Sequence, residues 1–403
     1  MAFTFLNRKR NILLILVLMV VVDIVFLKLY TKKDTSQKNS RTLLDSLNAN
    51  RRVGPSIRIE AKDQGVVFAH GHGPNGCDSL GARDVWVWQA GNLFYMNYDG
   101  SSAAGWITCL ATSSDLVHWT TYGRQLQLGK PGESDNASAS YGVTFNKGDK
   151  WYMYYLAAST VSDPFNKVPS FPYLVKLAVA KSPAGPWTKR AKFVALNTQP
   201  NTFFSASASP GQVVEANGSY LMFFSGSRSL TPYQHVIAKT KSGKLVDRYL
   251  PGKEPNKILR TIGIARTQNL EGEWKADTIP ILPDSEQIEN ASMYYQTETK
   301  TWFLFTNHVG IYDKTEFTDA IWVYWSQDLE HWNPNDKAVV LDSTNVLWTN
   351  PIIGLPSVVK IGTKLAIFYD GFHGTGMLYG AEIHMRRDVG FATIDLPINV
   401  DMK

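Results

Sequence analysis

The chain has 403 residues, of which 44% are hydrophobic and 12% aromatic, so it is long enough to bury one large core. Its formal net charge of +6 comes from the N-terminus, because residues 1–55 hold ten Lys and Arg against three Asp and Glu. This leaves 31 of the 41 basic and 32 of the 35 acidic side chains for residues 56–403, a balance that gives no support to nucleic-acid binding.

The first 55 residues predict a membrane-anchored start. Residues 11–30 are an apolar run that follows Arg8, Lys9 and Arg10, and the run is long enough to cross a bilayer as a helix. A cleaved signal peptide is the alternative, but no A-x-A-like site follows the run. We expect four segments in this order: a cytoplasmic tail (1–10), a transmembrane signal-anchor (11–30), a stem (31–55) and a folded domain (56–403).

Sequons and cysteine usage indicate that the folded domain lies in the secretory lumen or outside the cell. N-x-S/T sequons occur at Asn136, Asn217 and Asn290, and the chain has two cysteines, Cys77 and Cys109. In an oxidising lumen we expect these cysteines to form a disulfide, with two buried free thiols as the alternative. Together with the anchor, these features predict a single-pass type II membrane protein of the Golgi, another secretory-pathway membrane or the cell surface. We expect glycans on Asn136 and Asn217.

Residues 84–119 predict a short antiparallel meander. Three apolar and aromatic runs are separated by turn signals, and a Ser-x-Asp-Leu-x-x-Trp turn ends the segment. The runs are Val85–Trp88, Leu93–Tyr98 and Trp106–Thr112, and the turns are Gly91-Asn92 and Asp99-Gly100. The alternating segment Ser56–Ala61 in front of the meander predicts a strand that pairs with the last repeat.

The same unit recurs along the chain. The pattern of a strand, a tight turn and an aromatic strand starts again at Tyr141, Pro210, Ala291 and Pro356, at intervals of roughly 55 to 80 residues. Variants of the Trp-terminated turn recur with it. Five four-stranded meanders with little helical periodicity predict an all-β fold, a five-bladed β-propeller, after the transmembrane helix. A β-sandwich or two β domains are the alternatives.

The propeller prediction locates a candidate site. Residues that open each inner strand share one rim with the loops between second and third strands, and the sequence places carboxylates, histidines and an arginine there. These rim residues are Asp84, Asp99, Arg228, Glu289, Asn307, His308, Asp370 and His373. Apart from Asp84 and Glu289, we expect them, together with Asp78, to bind substrate.

Some rim residues have two interpretations. His308 and His373 either bind sugar hydroxyls or a structural cation on the propeller axis, or are ordinary hydrogen-bonding residues. Arg228 either holds a carboxylate or phosphate of the substrate, or pairs with a nearby Asp. Zinc, phosphate-loop and nucleophile-elbow motifs are absent from the sequence, so we predict no cofactor and assign no metal ligands.

These motifs resemble those of a known family. The sequence A-R-D-V-W-V at Ala82–Val87, the strand that ends in Y-D-G and the Trp-terminated turns are similar to those of the five-bladed propellers of glycoside hydrolase family 43 and the related families 32, 68 and 130. The resemblance covers roughly residues 60–403. It implies that Asp84 is a general base and Glu289 a general acid. The third acidic residue of the family, which adjusts the pKa of the acid, has no counterpart around Ser209.

The residues and the resemblance together predict a membrane-anchored enzyme that hydrolyses a glycosidic bond at a glycan end. Two carboxyl groups roughly 6.5–9.5 Å apart fit an inverting acid/base mechanism, and Asp78, Asp99 or Asp370 would supply the charge that separates their pKa values. A glycan on Asn290 would stand in this pocket, so either that sequon is unused or Glu289 is not the acid. The alternatives are a catalytically inactive glycan-binding propeller, and a glycosyltransferase or phosphorylase-type protein whose rim arginine and histidines hold phosphate.

Overall fold

The computed structural model describes residues 54–163, 166–229, 234–239, 245–250, 258–312, 315–349, 352–372 and 384–400. The predicted cytoplasmic tail, the signal-anchor and nearly all of the stem lie outside the described residues, as does His373. Within the ranges given above, no helix has both the length and the apolar character that crossing a bilayer requires.

Antiparallel meanders account for most of the described chain, with short 3-10 turns at Pro74–Gly76 and Asp284–Glu286. Strand β1 (Lys62–Phe68) comes first and pairs with the last strand of the chain. Meander 1 consists of β2 (Gly81–Ala90), β3 (Leu93–Ser102), β4 (Gly105–Ser113) and β5 (Thr120–Arg124). Meander 2 consists of β6 (Ser138–Lys147), β7 (Lys150–Ala158), β10 (Leu174–Ala180) and β11 (Thr188–Lys189), with an inserted hairpin of β8 (Thr160–Asp163) and β9 (Val168–Ser170).

Three further meanders follow. The inner edge of meander 3 is divided into β12 (Ser207–Ser209) and β13 (Val213–Ala216), which pair with β14 (Ser219–Ser229). An inserted hairpin of β15 (Gln234–Lys239) and β16 (Leu245–Leu250) precedes β17 (Ile258–Thr267) and β18 (Lys275–Ala276). Meander 4 consists of β19 (Ile288–Gln296), β20 (Thr301–Tyr312), β21 (Thr315–Ser326) and β22 (Lys337–Leu341). Meander 5 consists of β23 (Ile353–Ile361), β24 (Lys364–Phe372), β25 (Arg387–Asp395) and the N-terminal β1.

The hydrophobic core lies between neighbouring meanders. Phe303 of meander 4 and Ile367 of meander 5 belong to one buried cluster. In another, Tyr154 of meander 2 packs edge-to-face on Trp274 of meander 3, with 5.3 Å between the ring centroids. Because successive side chains of a strand point to opposite faces, a meander in the middle of such a series buries both of its faces. The core therefore depends on the packing of adjacent meanders against one another.

Main-chain hydrogen bonds also join each meander to the one before it. The bonds are Asp84 N to Asp370 Oδ2 (3.1 Å), Tyr141 N to Asp99 Oδ1, Ala208 N to Tyr173 O (3.0 Å), Asn290 N to Ser225 Oγ (2.7 Å) and Val358 N to Ser292 Oγ (3.0 Å). The first of these bonds joins meander 1 to meander 5, so the series returns to its start. The all-β, β-propeller-like architecture predicted from the repeats is confirmed.

The strand that pairs with the last meander differs from the one predicted. The prediction was Ser56–Ala61, but the pairing strand is β1, with Phe68 opposite Val389 of β25. The earlier segment instead forms a single bridge to meander 4, from Arg58 to Val339. The reason is packing, because Ile59 is buried in the core between meanders 4 and 5 and holds this segment at the edge of meander 4.

The Trp-terminated turns attach each meander to its neighbour. In the first of them, Asp115 Oδ1 accepts hydrogen bonds from two exposed main-chain N–H groups that follow it, and this fixes the turn. Trp119 then packs edge-to-face on Phe368 of meander 5, with 5.7 Å between the ring centroids. In the same way, Trp332 of meander 4 packs on Phe223 of meander 3 at 6.4 Å. The Trp of the repeated sequence motif therefore packs one meander against its neighbour.

Replacing Trp332 by Ala should lower the free energy of unfolding by about 3–5 kcal/mol, because a buried indole is removed from the contact between two meanders. Urea unfolding of the purified protein measures the change. Tyr122→Ala is the control, since this aromatic side chain is exposed, and its effect should stay within about 0.5 kcal/mol. Equal effects of the two substitutions would show that the turn does not join the meanders.

Candidate active site

β-Bulges occur at equivalent positions in four inner strands, β2, β6, β19 and β23. At each bulge one residue other than glycine has a positive φ, which is uncommon and is typical of a strand that re-aims a side chain. These residues are Asp84 (53°), Tyr141 (45°), Asn290 (59°) and Leu355 (20°). The counterpart of Asp84 in meander 4 is therefore Asn290, and Glu289 lies one residue before it.

Asp84 is held from two sides. Its Oδ2 accepts a hydrogen bond from Arg83 Nη2 at 2.9 Å, and its main-chain N–H donates to Asp370 Oδ2 at 3.1 Å. The Asp84 side chain is only 7% exposed. The carboxyl of Asp99 lies near enough to Asp84 for their charges to interact, and its Oδ1 accepts the main-chain N–H of Tyr141.

Burial favours the protonated forms of the two neighbouring acids. It raises the pKa of Asp99 well above its usual range, and the negative charge of Asp84 raises it further. Burial likewise raises the pKa of Asp370, against the opposing effect of the guanidinium of Arg387, whose Nη1 lies 3.5 Å from Asp370 Oδ1. A protonated Asp99 can donate to Asp84, so three clustered carboxyl groups need not carry three charges.

Arg83 is fixed by an aromatic ring and a histidine. Its guanidinium lies 4.5 Å from the centroid of Trp106, and its Nη1 lies 2.8 Å from Nδ1 of His384. Burial, followed by the charges of Arg83 and Arg387, lowers the pKa of His384 well below its usual range. The neutral ring can therefore accept a hydrogen bond from Arg83. Neither Arg83 nor His384 was singled out from the sequence, although Arg83 stands beside Asp84 in the A-R-D motif.

Glu289 has a more open environment than Asp84. Its side chain is 31% exposed, and Arg260 Nε lies 3.4 Å from Oε2 in an ion pair. Asn307 Nδ2 lies 3.4 Å from Glu289 Oε1, while Asn307 Oδ1 accepts a hydrogen bond from Asn290 Nδ2 at 2.9 Å. The buried Gln287 fastens the strand of Arg260 to that of Glu289, because its Oε1 accepts the Arg260 main-chain N–H at 2.9 Å.

The charges of Asp84 and Glu289 affect the pKa values of the same two tyrosines. Burial raises the pKa of Tyr141 well above its usual range, and the charges of Asp84, Asp99 and Glu289 each raise it further. The pKa of Tyr173 is raised mainly by burial, with contributions of the same sign from Glu289 and Asp84. Both carboxylates therefore act on the same two phenols. We use the name axial site for Arg83, Asp84, Tyr141, Tyr173, Arg260 and Glu289.

Several of the predicted rim residues have structural contacts instead. Asp78 is fully buried in the loop before β2, where its Oδ1 accepts the Gly73 N–H at 2.8 Å and its Oδ2 accepts the Tyr98 hydroxyl at 3.3 Å. This burial gives no support to substrate binding by Asp78, which stays a prediction. Asp99 and Asp370 are buried as well, and they flank Asp84 rather than Glu289.

The polar residues of meander 4 are also enclosed. His308 is 1% exposed and stacks on Trp322 with 4.2 Å between the ring centroids, while its Nδ1 lies 2.5 Å from Asp319 Oδ1. Asn307 is fully buried and orients Glu289 and Asn290. Both side chains are therefore enclosed by protein, which agrees with the second interpretation of His308. Substrate binding by Asn307 or His308 stays a prediction.

Arg228 has the second of its two predicted roles. Its Nε lies 2.5 Å from Asp284 Oδ2, so it pairs with a nearby Asp. Because this pair neutralises the guanidinium, Arg228 is not an unpaired anchor for a phosphate or carboxylate.

Cys77 and Cys109 are close together but are both buried free thiols in the structure. Their side chains make a hydrogen bond, and Cys77 Sγ also lies 3.9 Å from the Tyr98 hydroxyl. This arrangement is the alternative to the disulfide that we expected. The two thiols are neighbours because Cys77 ends a 3-10 turn packed over the strand that carries Cys109. A disulfide between them stays a prediction.

The three sequons differ in accessibility. Asn217 is exposed in the tight turn between β13 and β14, and Asn136 is partly buried. Asn290 is only 5% exposed, and its Nδ2, the atom to which a glycan is attached, donates to Asn307. A glycan on Asn290 is incompatible with this packing.

The described residues contain no group of three or more His, Cys, Asp or Glu side chains arranged to hold a metal ion. The axial carboxyl groups are instead paired with arginine and with each other.

Comparisons with known proteins place the fold among glycoside hydrolases. Similar solved structures include a glycoside hydrolase with a TM-score of 0.58 and 16% identity over 85% of this protein and 95% of that one. A family 117 glycoside hydrolase, Zg3597 of the marine bacterium Zobellia galactanivorans, gives 0.56 and 12% over 85% and 93%. The catalytic domain of the Coprinopsis cinerea GH62 alpha-L-arabinofuranosidase gives 0.55 and 12% over 83% and 97%. At these identities the likeness shows the fold alone. No family model and no curated protein matches the sequence.

Replacing Asp99 by Asn should make stability less dependent on pH. The folded protein keeps the proton of Asp99 at pH values where the unfolded chain, with a pKa of about 3.9, has lost it. The native state then binds more protons, so the free energy of unfolding falls as pH rises above about 4, by at most about 1.4 kcal/mol per pH unit for this group. Asn can donate to Asp84 as the protonated acid does, so Asp99→Asn should fold and show a shallower slope.

Urea unfolding at several pH values from about 4 to 8 measures this slope. Asp149→Asn, in the exposed turn between β6 and β7, is the matched control and should leave it unchanged. A wild-type slope in Asp99→Asn would contradict the assignment of the shared proton.

Proposed function

We propose that the five meanders are the blades of a five-bladed propeller and that the protein hydrolyses a glycosidic bond at the end of a glycan. Asp84 is the general base and Glu289 the general acid. The observation that carries this proposal is that Asp84 and Glu289, 205 residues apart in the chain, lie at the equivalent β-bulges of meanders 1 and 4, and that both charges act on Tyr141 and Tyr173. The glycoside hydrolase fold of the similar structures agrees with it.

The two carboxyl groups have environments suited to different tasks. The ionised Asp84, paired with Arg83 and enclosed, accepts a proton from the attacking water. The more exposed Glu289 gives a proton to the oxygen of the leaving sugar. In the inverting route the two groups act on opposite faces of the sugar ring, and the space between them holds one water molecule and the reacting carbon.

Arg260 sets a condition on this mechanism. It pairs with Glu289, and meander 3 has no acidic residue around Ser209, where the resemblance implies one. For Glu289 to act as the acid, its carboxylate has to leave Arg260 and take up a proton from solvent, and it then gives that proton to the oxygen of the leaving group. Tyr141 and Tyr173 stay protonated because their pKa values are raised. Tyr141 is buried, whereas the partly buried Tyr173, whose hydroxyl donates to Pro169 O at 3.0 Å, can accept a hydrogen bond from a sugar hydroxyl.

Glycan binding without turnover is the second candidate function. Two observations favour it: the ion pair between Arg260 and Glu289, and the enclosure of Asp84. The third candidate, glycosyl transfer or phosphorolysis, required Arg228 and His308 to hold phosphate. Arg228 pairs with Asp284 and His308 is buried, so those residues give it no support.

We also propose that the protein is a single-pass type II membrane protein with its catalytic domain in the lumen or outside the cell. The support comes from the apolar run at residues 11–30, the basic residues before it, and the sequons and cysteines of the folded part. A Golgi or other secretory-pathway membrane, or the cell surface, fits these features. The stem, residues 31–55, would hold the propeller away from the bilayer.

Asp84→Asn and Glu289→Gln should each lower turnover of a competent aryl glycoside by roughly 10²–10⁴-fold, because each removes one partner of acid/base catalysis. Sugar release from a panel of aryl glycosides by the full chain measures the effect. Glu298→Gln, in the exposed turn between β19 and β20, is the matched control and should keep wild-type turnover. Full activity in either axial variant would remove that residue from the mechanism. Tight sugar binding with no turnover in the wild type would establish the second candidate instead.

In a secretory host, Asn217 should carry a glycan and Asn290 should not, because Asn217 is exposed in a turn whereas the amide of Asn290 is buried. Glycopeptide mapping of the full chain gives the occupancy of each site. Asn217→Gln should remove one glycan from the intact mass, whereas Asn290→Gln should remove none. A glycan found on Asn290 of folded protein would overturn the proposed position of Glu289, and an unmodified Asn217 would count against the lumenal location.

A further inference from the structure

A second concave site lies at the edge of meander 3, outside the axial site. It is a cavity of about 650 Å³, within the range of about 300–1,000 Å³ that is typical of small-molecule sites. Six of the residues that line it carry the argument: Asn201, Ser205, Arg228, Thr278, Pro283 and Asp284. We call it the meander-3 cavity.

Three chain segments form the meander-3 cavity. Asn201 and Ser205 precede β12, and Arg228 lies near the end of β14. Thr278 and Asp284 belong to the connection that leads from meander 3 to β19, the strand that carries Glu289. The cavity therefore lies at the edge of meander 3, beside the connection that leads to meander 4.

The cavity is also close to the axial site along the sheet. Ser227, next to Arg228 on β14, is paired in register with Arg260 on β17. Arg260 in turn contacts Glu289. Arg228 and Arg260 therefore lie at the same end of this strand pair, but their side chains leave opposite faces of it, so an elongated ligand that joins the cavity to the proposed general acid has to cross the end of the two strands.

The charge of the cavity is balanced. Arg228 Nε and Asp284 Oδ2 are 2.5 Å apart, and these are the two charged residues among those that line the cavity. An anionic ligand would have to compete with Asp284 for the guanidinium, and a cationic ligand would have to compete with Arg228 for the carboxylate. The balance favours a neutral ligand over a phosphate, a sulfate or a uronate.

The remaining lining groups match the chemistry of sugars. The hydroxyls of Ser205 and Thr278 can each donate and accept hydrogen bonds, and the amide of Asn201 offers both a donor and an acceptor. Pro283 adds an apolar surface against which the C–H face of a pyranose or furanose ring can pack. A neutral polyol that presents hydroxyls around an apolar face satisfies all of these groups.

We propose that the meander-3 cavity is a distal subsite that binds neutral sugar units of an oligosaccharide whose terminal unit occupies the axial site. The inference rests on the proposed function and extends it, because it assigns neutral oligosaccharides as the substrate class. Affinity should therefore increase with the length of the oligosaccharide, up to the number of units needed to reach the cavity.

Filling the cavity tests this proposal. Thr278 is exposed at the cavity wall, so Thr278→Trp can fill the space without disturbing a core. Asn201→Gly removes an amide and keeps the backbone, because Asn201 has φ 62° and glycine adopts that conformation readily. Thr297→Trp, in the exposed turn between β19 and β20, is the matched control.

The probe is an array of neutral oligosaccharides of one to five units, with matched uronate- and sulfate-bearing oligosaccharides, applied to the full chain. The wild type and Thr297→Trp should bind the longer neutral oligosaccharides at least tenfold more tightly than the matching monosaccharides. Thr278→Trp should keep the affinity for monosaccharides and bind the longer neutral oligosaccharides no more tightly than these. Asn201→Gly should show a smaller increase of affinity with length than the wild type.

An unchanged length dependence in Thr278→Trp, a preference for the anionic oligosaccharides, or no binding to the array would overturn the distal subsite. Turnover separates this failure from failure of the proposed function. If Asp84→Asn abolishes turnover while Thr278→Trp changes no affinity, the subsite alone is wrong. If Thr278→Trp removes the length dependence while Asp84→Asn keeps full turnover, the subsite stands and the catalytic assignment falls.

Discussion

The structure depends on which acceptors bind the main-chain N–H groups that the β-bulges of the inner strands leave without a partner. A β-bulge leaves a main-chain N–H without a partner in its own meander, and a buried N–H that stays unpaired is costly. In this protein the preceding meander supplies the acceptor: a carboxylate for Asp84 and Tyr141, and a serine hydroxyl for Asn290. The same bonds join the meanders and place polar side chains near the centre. Asp99 and Asp370 are therefore buried close to Asp84 for a structural reason, and the electrostatics of the axial site follow from the requirements of the fold.

Much of the fold could be predicted from sequence, because its signals are local. Each meander has its own apolar runs, turn residues and Trp-terminated turn, and the aromatic residues that recur at fixed places are those that pack between meanders. The strand that pairs with the last meander could not be placed correctly. The alternating pattern at Ser56–Ala61 indicates that Ile59 is buried, but it does not indicate which strand the segment pairs with. Strand pairing between segments more than three hundred residues apart has no signal in the local sequence.

The candidate site could be predicted only in part, for a related reason. Topology alone indicates that residues opening the inner strands share a rim, and this brought Asp84 and Glu289 together. It does not indicate which of these side chains are buried in structural contacts. Asp78 and His308 were therefore predicted as ligand-binding residues although both are enclosed. Arg260 and His384 were missed because their importance lies in contacts with residues distant in the chain. The register of the sequence repeats already indicates that Glu289 lies about one residue away from the position equivalent to Asp84, and the left-handed conformation of Asn290 at the bulge agrees with that offset.

The pairing of β1 with β25 also has a consequence for how the chain folds during synthesis. Strand β1 is among the first parts of the folded region to be made, and its partner is among the last. Until Arg387–Asp395 is available, β1 has no native neighbour, and the outer edge of meander 5 is likewise unpaired. Contacts of such long sequence separation form slowly, and unpaired strand edges are where chains associate wrongly. A nascent molecule therefore cannot complete this sheet until the more than three hundred residues between β1 and β25 have been made, and both strand edges stay unpaired during that interval.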